Sequence, residues 1–359
     1  MKNEKKYLHF LIMNILKRYS DRAHPMTQAQ IAERLAADDL QVNRTTVHRA
    51  VSDLIDLQDY TRIHYAGEES EFDSDEDRRP YYTGIYYDHE FSDAELRWLI
   101  DGILYSRNVP HEQRDQLIEK LVSLGGPDFQ EKNSMRKIRR LSPEEPVNEE
   151  LFSNIEKLNT AIENRWQIRA VYNYMGPDFK LHPVGGWADW HQLLNPYAMV
   201  IRGGFYYLIC NKDNYDDLTH YRVDRMTDII ILEEESRKPV QKLASFEKKS
   251  WDLQEYMEQN INMAFGEPSR ITFIAEARTV PSIIDTFGRG VEFQPLESGQ
   301  YACVVHVPEY DMRLWALQHC DDVKVVSPES LVEEIRYSLR AAQSKYKDKP
   351  TSPSARKKK

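Results

Sequence analysis

Cysteine is scarce in this 359-residue chain, and Cys210, Cys303 and Cys320 lie far apart with no C-x-x-C pair. That argues against a disulfide framework and against a zinc site. No apolar run is long enough to span a bilayer. Excess positive charge is missing too: the formal net charge is −10, so any contact with nucleic acid must come from a local basic face. There is no P-loop, no G-x-G-x-x-G, no G-x-S-x-G and no H-E-x-x-H. The histidines are scattered, with only His182 and His191 near one another in the strand-rich region. The expectation is a protein that is not an enzyme and needs no metal or cofactor. A hydrolase assembled from residues distant in sequence is the alternative.

What is present is a globular composition, 41% hydrophobic and 30% charged, in a chain long enough for more than one domain. The opening "MKNEKKYLHFLIMNILKRYS" runs from basic to apolar like a signal peptide. Asn14, Lys17 and Arg18 interrupt it, however, and no small-residue cleavage site follows. It reads as an amphipathic helix of a cytoplasmic protein without membrane association, with Leu8, Leu11, Ile12, Ile15, Leu16 and Tyr19 at helical spacing. "TQAQIAERLAADD" then begins with a capping box, Thr27 to Gln30. Asn43 can cap a third helix, "RTTVHRAVSDLID".

On that third helix Val47, Ala50, Val51 and Leu54 form the apolar stripe. Thr45, His48, Arg49 and Ser52 fall on the opposite side. Small hydroxyls let a helix approach base edges closely, and an Arg fork matches guanine, at about 1–3 kcal/mol of discrimination. The succession of helix, capped helix, tight turn and capped helix is helix-turn-helix grammar. Gln28, Asn43, Arg44, Thr45, Thr46, His48, Arg49 and Ser52 are therefore the candidate contacts to double-stranded DNA. An ordinary solvated polar face is the competing reading.

"DYTRIHYA" and "RRPYYTGIYY" read as two strands of a hairpin, the wing of a winged helix. Their connection carries Glu68, Glu69, Glu71, Asp73, Asp75, Glu76 and Asp77, which phosphates would repel. It is either a disordered loop or a mobile screen over a basic surface. Arg78 and Arg79 at its base are within reach of the backbone. "FSDAELRWLIDGILYS" opens with a second capping box, Ser92 to Glu95, and "VPHEQRDQLIEKLVSLGG" follows as another helix. These are joining helices and a candidate dimer contact. The basic run Arg136 to Arg140, with Pro143 and Pro146, marks a linker.

Beyond a helix with Leu151, Ile155, Leu158 and Ile162, the pattern becomes β. "WQIRAVYNYM", "LLNPYAMVIR", "FYYLICN", "THYRVDRM" and "DIIIL" are strands, and Arg202-Gly203-Gly204 is a tight hairpin connection. Both faces of the central strands are largely apolar, so the sheet either curls into a small barrel or is covered on both sides. The rings of Tyr206 and Tyr207 are mainly packing.

"LLNPYAMVIRGGFYYLICN…LTHYRVDRMTDI" resembles the WYL domain of bacterial transcription regulators. Asn195, Pro196 and Tyr197 match that family's Asn-Pro-Tyr, and Tyr206-Tyr207-Leu208 stands for its Trp-Tyr-Leu. Tyr221 to Met226 fills its last block, where Arg222, Asp224 and Arg225 are identical. The resemblance implies a Sm-like small β-barrel with a basic pocket for nucleic-acid fragments, nucleotides or other anionic effectors. The candidate effector residues are His191, Tyr197, Tyr207, His220, Arg222, Asp224 and Arg225. The family often has Arg where this chain has Thr219, and His220 beside it is expected to substitute in a pH-dependent way. On a regular strand His220, Arg222 and Asp224 share a face and Arg225 projects from the other. Either the two arginines supply forks for an anion, or Asp224 takes hydrogen bonds from Arg225 or turn amides and only fixes a corner.

From "SRITFIAEA" the order strand, helix, strand, strand, helix, strand reads as a ferredoxin-like split βαβ, with a last helix after Pro328. The fold class expected is α+β multidomain: a winged helix-turn-helix over 1–88, a helical linker over 89–146 and the WYL domain over 147–235. A C-terminal extension for oligomerisation or gating spans 236–345, and a basic tail 346–359. The function implied is a homodimeric DNA-binding regulator whose operator binding an effector modulates. The alternative is an adaptor that binds single strands through the barrel without operator specificity.

Overall fold

Leu8, Ile12, Ile15 and Leu16 bury one stripe of α1 (Leu8–Tyr19). α2 (Gln28–Ala37) starts on the expected capping box, with Thr27 accepting from the Gln30 amide while the Gln30 side chain accepts from that of Thr27. Asn43 caps α3 (Arg44–Asp56), its side chain accepting from the Thr46 amide at 2.8 Å. These elements are seen in a computed structural model that describes residues 7–71, 79–106, 108–133, 148–185, 191–246, 251–261, 263 and 266–346. The chain divides into two compact units, Met1–Glu149 and Glu150–Lys359.

In the first unit α3 is followed by a single helical turn, α4 (Gln58–Thr61), where the sequence pattern suggested strand. Arg62 closes that turn in the left-handed region, φ 58°, and its Nε donates to the Asp88 carbonyl at 2.7 Å. Only then does β1 (Ile63–Tyr65) begin, with β2 (Glu69–Glu71), β3 (Pro80–Tyr82) and β4 (Ile85–Tyr87) after it. β1 pairs antiparallel with β4, and β2 with β3. Ile63 and Ile85 join Ile31, Leu35, Val47, Val51 and Leu54 in one apolar core. The Ser92–Glu95 capping box starts α5 (Asp93–Leu104) as expected. With α6 (His111–Val122) and α7 (Pro127–Lys132) it encloses a smaller core of Leu96, Ile100, Leu104, Ile118 and Phe129. Most of the acidic connection, from Asp73 to Asp77, lies outside the described residues, as do Arg78, the basic run Arg136 to Arg140 and the basic tail.

The second unit opens with α8 (Leu151–Asn164), then β5 (Trp166–Met175), β6 (Leu181–Pro183), β7 (Gln192–Arg202), β8 (Phe205–Lys212), β9 (Leu218–Arg222) and β10 (Met226–Ser236). They form a six-stranded sheet in the order β10-β5-β7-β8-β9, with β6 also on β5. β9 and β10 lie at opposite ends of that order, yet only a 3-10 turn, Val223–Arg225, connects them. Four steps of chain reach at most ~14 Å, whereas flat sheet edges four spacings apart would stand ~19 Å apart. The sheet therefore has to curl, as its apolar faces suggested. Gly203 and Gly204, with φ of 57° and 81°, make the β7–β8 turn, the two-residue geometry that needs glycine-like freedom.

A short helix, α9 (Leu253–Gln259), leads to the last sheet. There β11 (Pro268–Glu276), α10 (Val280–Phe287), β12 (Glu292–Pro295), β13 (Gln300–Pro308), α11 (Glu309–Gln318) and β14 (Val323–Ser327) follow in the expected succession, and α12 (Glu329–Lys345) ends it. The strand order is β12-β13-β11-β14, antiparallel throughout. Phe273, Phe287 and Trp315 pack edge to face or tilted at its centre. The molecule is thus mixed α/β, with a helical amino-terminal region and a curled sheet. No helix among the described residues is long and apolar enough to cross a membrane.

Candidate functional site

α3 carries the first candidate surface. Arg44 and Arg49 are exposed, and Thr45 and Thr46 are half-buried beside them. Asn43 lies at the start, its side chain engaged as the cap. The opposite-side reading of the helix needs correction at three positions. His48 is 0%, Ser52 1% and Gln28 3% exposed, so none of them stands on an open face. His48 stacks on Tyr81, Ser52 donates to the Pro80 carbonyl at 3.5 Å, and Gln28 donates to the Tyr82 carbonyl at 3.2 Å. The cause is the β3 strand, which lies along the flank of the apolar stripe and covers the i, i+4 row of His48 and Ser52. What stays open is the neighbouring row, Thr45 and Arg49, with Arg44 at the helix start.

Arg79, at the base of the β2–β3 connection, extends that row. Its Nη1 donates to the Arg49 carbonyl at 3.2 Å and to Asp53 Oδ1 at 2.5 Å. Asp53 also meets His9 Nε2 from α1 at 3.0 Å. Arg79 thus lies along the Arg49 row of α3, fixed by one acidic side chain, while Arg44 at the helix start lies over the Tyr81 ring.

The curled sheet carries the second. β9 stops at Arg222 and Val223 turns inward, fully buried. The alternation assumed through Asp224 and Arg225 therefore ends at Arg222. Asp224 takes two bonds from Arg222: Nε to Oδ1 at 3.0 Å and Nη2 to Oδ2 at 2.6 Å. The Arg222 guanidinium also lies over the Phe205 ring, 3.5 Å from its centroid. Such a fork-to-fork pair on an aromatic plate holds a cation in one orientation. Arg225 sits in the turn, its carbonyl accepting from Asn173 at 3.0 Å and its Nε buried without a hydrogen-bond partner.

Tyr207 pairs with Arg222 across β8 and β9, and His220 is on the same face two residues earlier. The structure thus brings Tyr207, His220, Arg222 and Asp224 together. His191, half-buried before β7, is on another element. Tyr197 is 4% exposed, donates to the Lys238 carbonyl at 2.8 Å, and packs against Trp251; it is a structural residue here. Burial pushes its hydroxyl well above the ordinary range. His220 also differs from expectation. Burial lowers its pKa to about 4, so the ring is neutral near pH 7 and supplies no charge in place of an arginine at Thr219. Its Nδ1 donates to the Met263 carbonyl at 2.9 Å and its Nε2 accepts from the Tyr256 hydroxyl at 2.7 Å.

Several residues went unassigned in the sequence. Asn195 is 0% exposed and bonds at both ends: Oδ1 accepts from Gln167 at 3.0 Å and from the Lys238 amide at 2.7 Å. Its Nδ2 donates to Asn211 at 3.1 Å and Asp213 at 3.3 Å. The Asn-Pro-Tyr motif is thereby a structural hub. Tyr172 stacks on Tyr221 at 4.1 Å. Arg202, beside the glycine turn, donates from Nε to the Ile261 carbonyl at 2.9 Å and from Nη2 to that of Met257 at 3.3 Å. Its place next to Phe205 was readable from the two-residue turn; its distant carbonyl partners were not.

Residues 153–231 match the family described as WYL domain. No curated protein matches the chain. Among solved structures it is similar to proteasome accessory factor B/C (PafBC) of Arthrobacter aurescens, at 13% identity and a TM-score of 0.27, over 96% of this chain and 49% of that one. It is also similar to a CRISPR Cas-related protein, at 13% identity and a TM-score of 0.36, over 90% and 93% of the two chains. The chain spans about half the length of the PafBC chain it matches.

Proposed function

We propose, from the premise that this chain carries a WYL domain at residues 153–231, that it is a DNA-binding regulator of transcription with an effector site in its barrel. The amino-terminal helices with the β1–β4 strands act as a winged helix-turn-helix. The curled sheet acts as a Sm-like barrel, and the β11–β14 sheet as a ferredoxin-like extension for oligomerisation or gating. α3 enters the major groove, with Arg49 and Thr45 toward base edges and Arg44 toward phosphate. A cytoplasmic homodimer would place two such helices on half-sites about 34–36 Å, or a multiple of that, apart. The protein binds and does not turn over its ligand.

The observation that carries the reading is the exposed row on α3. Arg44 and Arg49 lie open beside short hydroxyl side chains, with Arg79 bonded to the Arg49 carbonyl. On a chain of net charge −10, such a local gathering of guanidinium groups supports a built surface for a polyanion. In the barrel, Arg222 seated over Phe205 supports recognition of an anion joined to a planar group, such as a nucleotide or a nucleic-acid fragment.

Genomic footprinting followed by fluorescence anisotropy tests it. A protected palindrome is expected, and Arg49→Ala should weaken binding to that site by about 1–3 kcal/mol while random duplex binding changes far less. Equal losses on both would refute base reading. Steep salt dependence without any protected site would favour the single-strand adaptor instead.

A further inference from the structure

α9 lies across the barrel face that presents Tyr207 and His220, and it lies there lightly. None of its residues is buried. Its own Tyr256 and Met257, with Trp251 just before it, are only partly buried against Tyr197, Ile209 and Leu218. Just past its end Asn260, Ile261 and Met263 are buried, and two polar pins add to the attachment. His220 takes the Tyr256 hydroxyl and the Met263 carbonyl, on either side of the helix end. Arg202 takes the Met257 and Ile261 carbonyls.

The Arg202 pin is the unusual one. A guanidinium is matched to a carboxylate or phosphate, and here it is spent on two neutral carbonyls. A phosphate adds an ionised acceptor and offers the fork two parallel bonds, which two separate carbonyls cannot. Arg202 also stands opposite Phe205 in the β7–β8 register, so both side chains lie on one face of the pair. The Phe205 ring in turn carries the Arg222 guanidinium. Two arginines therefore flank one aromatic plate, and one of them is holding the strap.

We propose that Arg202 is an exchangeable latch: a phosphate-bearing effector seated over Phe205 and Arg222 draws the Arg202 guanidinium from the Met257 and Ile261 carbonyls and frees α9. The inference rests on the effector reading of the barrel and adds its regulation. Because α9 joins the barrel to the β11–β14 sheet, occupancy of the barrel becomes a loosening of the connection to the extension. A segment with few buried contacts opens at low free-energy cost, so the exchange of one strong donor is enough to shift it.

Amide hydrogen–deuterium exchange on the full chain tests the latch, read on peptides covering 253–261. Without ligand, Arg202→Gln should speed exchange there about tenfold, with the circular-dichroism spectrum unchanged. Tyr256→Phe, which keeps the ring and removes one bond to His220, should give a smaller increase. With 5′-phosphorylated tetrathymidylate as probe, the wild type should speed up toward the Arg202→Gln level, and Arg202→Gln should show no further gain. Unaltered exchange in Arg202→Gln overturns the latch, and so does a bound probe that leaves 253–261 unchanged or slower. Failure of the probe to bind the wild type in anisotropy is a separate result, and it overturns the phosphate-effector reading itself.

Discussion

Tyr81 of β3 stacks against His48 of α3, with ring centroids 5.7 Å apart and planes 27° from parallel. The same tyrosine ring lies 5.7 Å from the guanidinium carbon of Arg44. One side chain from the hairpin therefore braces a buried residue and an exposed cation on the same helix, and the two helix positions have different jobs.

His48→Ala should lower stability and leave base preference unchanged. The ring is fully buried, and removing a buried ring of this size costs about 2–4 kcal/mol. Urea unfolding measures the loss, and selection from a randomised duplex pool measures the preference. A changed consensus with unchanged stability would return His48 to the DNA-reading face.

Arg79→Ala should act through phosphate and not through bases. Removing one phosphate contact reduces the slope of log K against log salt by about 1, uniformly across sequences. Asp53→Asn, which releases Arg79 from its carboxylate partner, should raise affinity for specific and random duplex alike. Arg79→Ala with an unchanged slope would leave Arg79 as a brace for α3 alone.

His220 makes stability fall on the acid side. Its folded pKa, about 4, lies below the ordinary value of 6.5, so between those pH values the unfolded chain binds more protons. Stability is full above pH 6.5 and declines as pH drops toward 4, by on the order of 3 kcal/mol for this group. His220→Asn has no such titration, and its urea midpoint should fall less steeply over that range. Parallel pH profiles for the two proteins would place the acid sensitivity elsewhere.

Arg222→Ala should abolish effector response and leave operator affinity nearly intact. It removes the fork held by Asp224 and the cation over Phe205, both in the second unit, while α3 is in the first. Titrating operator complexes with a ligand that copurifies with the wild-type protein would measure both quantities. Retained response would make Arg222 a corner-fixing residue.

The sequence alone determined the local elements, because caps, turns and periodicities act within a few residues. Thr27 with Gln30, Asn43, Ser92 with Glu95 and the glycines after Arg202 each fixed an end or a turn at the expected place. The alternation of the curled sheet's strands and the Asn-Pro-Tyr block likewise carried the WYL domain in their residue order. Tertiary structure decided which polar side chains remain available. His48 and Ser52 lie on the polar side of a helix by periodicity, yet a strand from beyond the β2–β3 connection covers them. Tyr197 and His220 looked like ligand-binding groups, yet a segment some forty residues later in the chain closes over them. Burial depends on which distant surface arrives, and that contact is set by the packing of whole elements, not by the spacing within any one of them.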